Sequence, residues 1–126
     1  YEAGRPKLAW DVLRRLLWMG RHMPYYPQEV YCDRPAAPGH KRANIISGCC
    51  GAAAVIYGML GVRPHPDGSI LFAPRAPHGA RLLLRGLEMH GIRIDIEATS
   101  QDVTIVANNR EYHIPTDGEL VVHTKE

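Results

Sequence analysis

The chain has 126 residues, 45% hydrophobic and 22% charged, with a net charge of +2. This is enough for one domain with one core, and the composition excludes a disordered or membrane-like chain. The basic residues gather no further than Arg14-Arg15 and Lys41-Arg42, which is no footprint for nucleic acid.

No apolar run is long enough for a transmembrane helix, and no signal peptide is visible. The chain begins at Tyr1 rather than Met and enters a helical pattern almost at once, as a piece of a longer protein would. The compartment is therefore not readable. Three cysteines, Cys32, Cys49 and Cys50, make no disulfide framework and lack the spacing of a zinc site. Cys49 and Cys50 sit among Gly and Ala and are expected as small buried side chains on a helix. The histidines His65, His78, His90, His113 and His123 are scattered without ligand spacing, so neither metal nor cofactor is expected.

Arg5 to about Met23 reads as an amphipathic helix. Trp10, Leu13 and Leu17 share a face that Val12, Leu16 and Met19 widen, while Arg14, Arg15 and Arg21 can point outward. Pro6 suits the first turn and Pro24 stops the helix. So broad an apolar face wants partners on more than one side.

Pro24 to Ile46 is a loop by composition, with Pro24, Pro27, Pro35, Pro38 and Gly39 and the aromatics Tyr25, Tyr26 and Tyr31. It is far longer than the roughly 2–8 residues usual between helices, and such loops are often functional. Ser47 to Leu60 reads as a second helix, thin-faced through Gly48, Gly51 and Ala52 to Ala54, with Ser47 as N-cap and Gly61 as a left-handed stop. It is expected to be surrounded by neighbours.

After Pro66-Asp67-Gly68 the apolar period changes from helical to alternating. Strands are expected over Ser69 to Ala73, Ala80 to Met89 with a bulge at Gly86, Gly91 to Thr99, Val103 to Ala107, Glu111 to Ile114 and Leu120 to His123. Asn108-Asn109-Arg110 is a hairpin turn and Asp117-Gly118 a second one. Antiparallel pairing into one sheet or a small sandwich follows.

The phrases Ala53 to Pro64, then Asp67-Gly68-Ser69-Ile70, then Ala73 to Pro77, resemble the C-terminal end of six-hairpin glycosidases, the (α/α)6-barrel hydrolases and phosphorylases. Leu84 to Leu87, His90-Gly91 and Ile94-Asp95-Ile96 resemble the β-module that closes many of them. The resemblance implies an α+β piece: the last helical hairpin of an (α/α)6 barrel followed by a small antiparallel β-sandwich cap. Residues 1–66 would supply terminal helices and the active-site-side loop, and 67–126 the β-module. The partners implied are a carbohydrate substrate and the remainder of the barrel, with no nucleic acid and no membrane.

An inverting glycosidase places two carboxyl groups about 6.5–9.5 Å apart, one as acid and one as base. Glu29-Val30-Tyr31 resembles the Glu-X-Tyr/Phe phrase that opens with a catalytic base in trehalase-like members, and so implies Glu29 as base. The Trp-Ser or Trp-Gly that such members carry at the start of the last helix is Ile46-Ser47-Gly48 here. Glu29 also reads as a structural carboxylate paired with Arg34 or Lys41, and Asp33, before Arg34 and Pro35, as a turn residue. Tyr25, Tyr26 and Tyr31 could stack on sugar rings or pack beneath the loop. His40, Lys41, Arg42 and Asn44 form a polar cluster at the mouth of the second helix, which suits an anion and keeps phosphorolysis open, or else form a solvated surface. Three readings follow: part of a glycoside hydrolase, inactive alone; part of a glycoside phosphorylase; or a non-catalytic carbohydrate-binding or interaction module.

Overall fold

A computed structural model describes residues 1, 3–23, 31–34, 36, 39 and 45–123. Helix α1 spans Pro6–His22 and helix α2 spans Ile45–Ala53, the latter running on as a π-helical segment, Ala54–Met59. Seven strands follow: β1 (Val62–Pro64), β2 (Ser69–Phe72), β3 (Leu82–Met89), β4 (Ile92–Ala98), β5 (Asp102–Ala107), β6 (Arg110–Pro115) and β7 (Leu120–His123). They form two antiparallel sheets, one ordered β1-β2-β7 and one β3-β4-β5-β6.

Alternation decides which side chains meet. Along β4 and β5, Ile92, Ile94, Ile96, Ala98, Val103, Ile105 and Ala107 all turn inward and are buried. Val62, Ile70, Phe72 and Val122 of the other sheet join them in one cluster, so the two sheets share a core. The strand segments expected from the alternation are all present, in seven strands rather than the five or six expected, because Val62–Pro64 pairs with β2 instead of merely ending a helix.

Turn chemistry accounts for the registers. Asn108 and Asn109 both have positive φ, as a two-residue type I′ hairpin requires, and Ala107 pairs with Arg110 across them. His90 and Gly91 do the same between β3 and β4. The β3–β4 register shifts between Leu84 and Leu87, where the backbone N–H of Gly86 donates to Asp95 Oδ1 at 2.6 Å. This is the bulge expected at Gly86.

The Asp67 turn before β2 is held by its carboxylate. Oδ1 accepts from the Ser69 hydroxyl at 2.7 Å and from the Ser69 backbone N–H at 2.8 Å. Those two bonds, helped by the nearby His65 and His123, hold the Asp67 carboxyl below its ordinary value of 3.8. A depressed folded-state value means the contribution to stability is intact above about pH 4 and is lost as pH falls through the folded value. The thermal midpoint should therefore fall as the pH is lowered below 4, and the fall should be shallower in Asp67→Asn. Parallel pH profiles for the two proteins would show that Asp67 contributes nothing.

The barrel expectation is corrected by this architecture. The described chain is a small β-rich unit with two short helices, not a helical hairpin of an (α/α)6 barrel. Both helical patterns were real, but a barrel wall must bury helix against helix. Instead Val55 and Ile56 of the π segment pack on the β-core, and Leu60 lies within it. The second helix thus ends as a cover over the sheets. The phrases read as resembling six-hairpin glycosidases fall on local requirements: Gly61 takes positive φ, and Asp67-Gly68-Ser69 forms the turn into β2.

Two smaller expectations also change. Helix α2 begins at Ile45, which places Ser47 inside its first turn rather than at the cap. Cys49 and Cys50 are exposed, as is Cys32, and Ile46 is 75% exposed. Among the described positions of α2, Gly51 is buried, facing Leu16 of α1 closely enough that a Cβ there would meet it at 3.7 Å.

Candidate functional site

Glu29, Tyr25, Tyr26, His40, Lys41, Arg42 and Asn44 lie outside the described residues. Tyr31 is described. It is 41% exposed, its ring is covered on one face by the Arg34 guanidinium at 3.9 Å, and its backbone N–H donates to the Ala36 carbonyl oxygen. Arg34 in turn pairs with Asp33 at 3.3 Å, so Asp33 is used locally. A sugar ring on Tyr31 would have only the opposite face available.

The β-sheets offer no aromatic platform. The exposed outer surface of the four-stranded sheet carries Arg81, Arg85, Arg93, Asp95 and Glu97, tied by ion pairs such as Arg81–Glu97 at 2.6 Å. Tyr112, the aromatic of β6, packs toward the core. Beside this network Thr104 Oγ1 lies 3.2 Å from His113 Nδ1, and His113 Nε2 lies 2.9 Å from Glu111 Oε1. Hydroxyl, imidazole and carboxylate stand in the order of a nucleophile relay. However, the His113 and Glu111 side chains are 70% and 59% exposed on an open sheet face. Thr104 and His113 are cross-strand partners, and Glu111 and His113 share a face two residues apart. Ordinary surface pairing explains both contacts.

Among the described residues, an apolar groove and a polar cleft stand out. The first is an apolar groove of about 660 Å³ between the helices, lined along α1 by Leu8, Ala9, Val12, Leu13 and Leu16 and along α2 by Cys50. Helix α1 is 17 residues long yet fully buries only Leu13, while Leu8, Val12, Leu17 and Trp18 stay 42–60% exposed. Trp18 stacks on His22 with ring centroids 4.5 Å apart. A separate hollow of about 420 Å³ on α1 is lined by Arg14, Arg15, Trp18 and Met19. Arg14 and Arg15 share the single acid of the helix, Asp11, at 3.1 and 2.9 Å. The Arg14 hydrogen bond is the main cause that holds the Asp11 carboxyl below its ordinary value. With Arg5 and Lys7 at its start and Arg21 at its end, the helix presents an apolar face with a basic rim.

The second feature is a polar cleft of about 530 Å³, lined by Tyr1, Gly58, Arg63, Leu71, Arg75 and Glu119 among others. None of its polar residues stood out in the sequence. Arg63 follows the Gly61 helix stop in the sequence and draws no notice there. Reading Val62-Arg63-Pro64 as a strand would have shown Val62 turned inward and Arg63 outward. Nothing local marks Arg75 and Glu119 as neighbours.

Among the described residues no group of three His, Cys, Asp or Glu side chains is placed to hold a metal ion, and no helix is long and apolar enough to cross a membrane. Comparison with protein-family models, with curated proteins and with solved structures gives no match.

Proposed function

We propose that this chain is a non-catalytic interaction module. The two-sheet unit is its scaffold, and the α1–α2 groove is its recognition surface. The observation that carries this reading is the α1 face. Leu8 and Val12 are one turn apart and 55% and 60% exposed, and they line an apolar groove to which Arg5 adds a cation. A helix that gains little from burying one residue holds its place in a larger contact. The partner that fits is an amphipathic helix with an apolar stripe for the groove and acidic flanks for Arg5, Lys7, Arg14 and Arg15.

The test is titration of the chain with a leucine-striped helical peptide carrying glutamate flanks, against the same peptide with lysine flanks. The acidic peptide should bind, bind more weakly as salt is raised, and lose its binding in Val12→Asp. Equal binding of both peptides, or binding unchanged by Val12→Asp, would overturn the reading.

The glycoside hydrolase and phosphorylase readings rest on Glu29 and Arg42, both outside the described residues. Turnover of aryl glycosides that is abolished by Glu29→Gln would favour the hydrolase. Phosphate-dependent release of a sugar 1-phosphate that is lost on Arg42→Ala would favour the phosphorylase. Either result would displace the non-catalytic assignment.

A further inference from the structure

The four-stranded sheet ends on β6, which pairs with β5 on one side and with no strand on the other among the described residues. Its backbone phase follows from the hairpin. A two-residue type I′ turn is closed by a pair that exchanges both backbone hydrogen bonds, here Ala107 and Arg110. Alternation then aims the backbone groups of Arg110, Tyr112 and Ile114 at β5. The far end of the strand agrees, because the Thr116 N–H donates across to the Gln101 carbonyl oxygen at 3.1 Å. The backbone N–H and C=O groups of Glu111 and His113, and the Pro115 carbonyl, therefore point away from β5 along an open edge.

An open edge is a template for another strand, and most are guarded by a charge, a proline or a bulge. The edge at the other end of this sheet, β3, carries the bulge at Gly86. Strand β6 carries charges, but in an order that favours one pairing over its neighbours. Against a second copy running antiparallel, outward-pointing groups meet only where odd-numbered residues stand opposite odd-numbered ones. One such register sets Glu111 opposite Glu111, carboxylate against carboxylate. Another sets His113 opposite His113 and brings Glu111 against Pro115, which has no N–H to give. The register between them puts Tyr112 on the two-fold axis. It sets Glu111 opposite His113 of the second copy at two symmetry-related places, and every outward N–H of both strands finds a carbonyl oxygen.

The side chains suit this register on both faces. On the outer face, the Glu111 and His113 side chains are 59% and 70% exposed and within reach of a facing strand. On the inner face, Tyr112 and Ile114 pack on the core yet are only partly buried. Pairing on the axis sets the Tyr112 ring beside its own copy, in the closer kind of cross-strand pair.

We propose that this chain forms a two-fold symmetric dimer through β6, with Tyr112 on the axis and Glu111 facing His113 of the second copy on either side of it. The four-stranded sheet then runs on from one copy into the other. The partner is a second copy because the order of charge and proline along β6 is complementary to itself. The contact is one strand per copy, so the interface is small and the copies should exchange readily. It lies on another surface from the helical groove and does not depend on it.

The test is sedimentation of the intact chain over a range of concentrations, with amide hydrogen exchange read at both ends of the range. The apparent mass should rise from one chain toward two. The Glu111 and His113 amides should exchange more slowly in the concentrated sample, while the Tyr112 amide, already bonded to β5, should not change. Glu111→His and His113→Glu each spoil both symmetry-related pairs, so each should weaken association about tenfold. The double variant makes the pairs complementary again, and its association should return close to the original strength. Both positions are exposed, and unchanged exchange along β5 checks that the fold holds. A chain that stays monomeric up to about 1 mM would overturn the proposal. So would a dimer in which the Glu111 and His113 amides gain no protection, or a double variant that associates no better than the single ones. A dimer lost in Val12→Asp but kept in Glu111→His would overturn it as well, since the copies would then meet at the helical groove.

Discussion

Phe72→Ala should remove about 3–5 kcal/mol of stability, the usual cost of emptying an aromatic site in a core. Phe72 is fully buried and heads the fully buried side chains in size. It sits on β2, the middle strand of the three-stranded sheet, with β1 on one side and β7 on the other. Its ring lies in the one cluster that both sheets share. Loss of the ring removes contacts to both sheets at once, and the backbone pairing on each side resists collapse into the space. A domain of this size is stable by only about 5–15 kcal/mol, so the variant should be near its folding threshold. Urea unfolding should show a lower midpoint at similar slope, while Phe72→Leu should cost only about 1 kcal/mol. Equal losses in the two variants would mean that the ring is not the shared anchor of the sheets.

Gly61→Ala should cost about 3 kcal/mol or more, although it adds a single methyl group to a position next to a helix end. Gly61 has φ +63°, and a Cβ on it would run into the Ala73 carbonyl oxygen. That contact is backbone and cannot rotate away. Ala73 also donates its N–H to the Gly61 carbonyl oxygen at 3.0 Å, which ties the helix exit to the end of β2. Gly79 supplies the comparison. Its φ is +75°, and nothing lies within 4 Å of its Cβ position. Gly79→Ala should therefore show the left-handed strain alone, about 1–2 kcal/mol. The difference between the two variants measures the Gly61–Ala73 contact, and similar losses would show that no such contact is made in solution.

The helical face and the polar cleft were legible to different degrees. The wide apolar face of α1 was visible in the spacing of Trp10, Leu13, Leu16 and Leu17, because helical period alone gathers those residues. What it would pack against was not visible. The expectation of partners on more than one side came from the breadth of that face, yet Leu8 and Val12 remain exposed. The cleft was not legible at all. Tyr1, Arg63, Arg75 and Glu119 come from four separate parts of the chain, and no period or turn links them.

By itself the sequence determined the local structure. The alternation of Ile92, Ile94 and Ile96 makes β4, Asn108-Asn109 makes the β5–β6 hairpin, Gly86 marks the bulge, and Gly61 ends the helical run. Each depends on side-chain sterics and hydrogen bonds reaching only a few residues, which the order of residues specifies completely. Only the tertiary structure decided how these pieces combine. Leu120–His123 follows β6 in the chain yet pairs with β2, where Val122 can be buried opposite Ile70. The end of the second helical segment closes on the β-core through Val55, Ile56 and Leu60 rather than on another helix. Apolar burial has no direction of its own, so a stripe specifies that it will be covered and leaves the covering element to the packing of the whole chain.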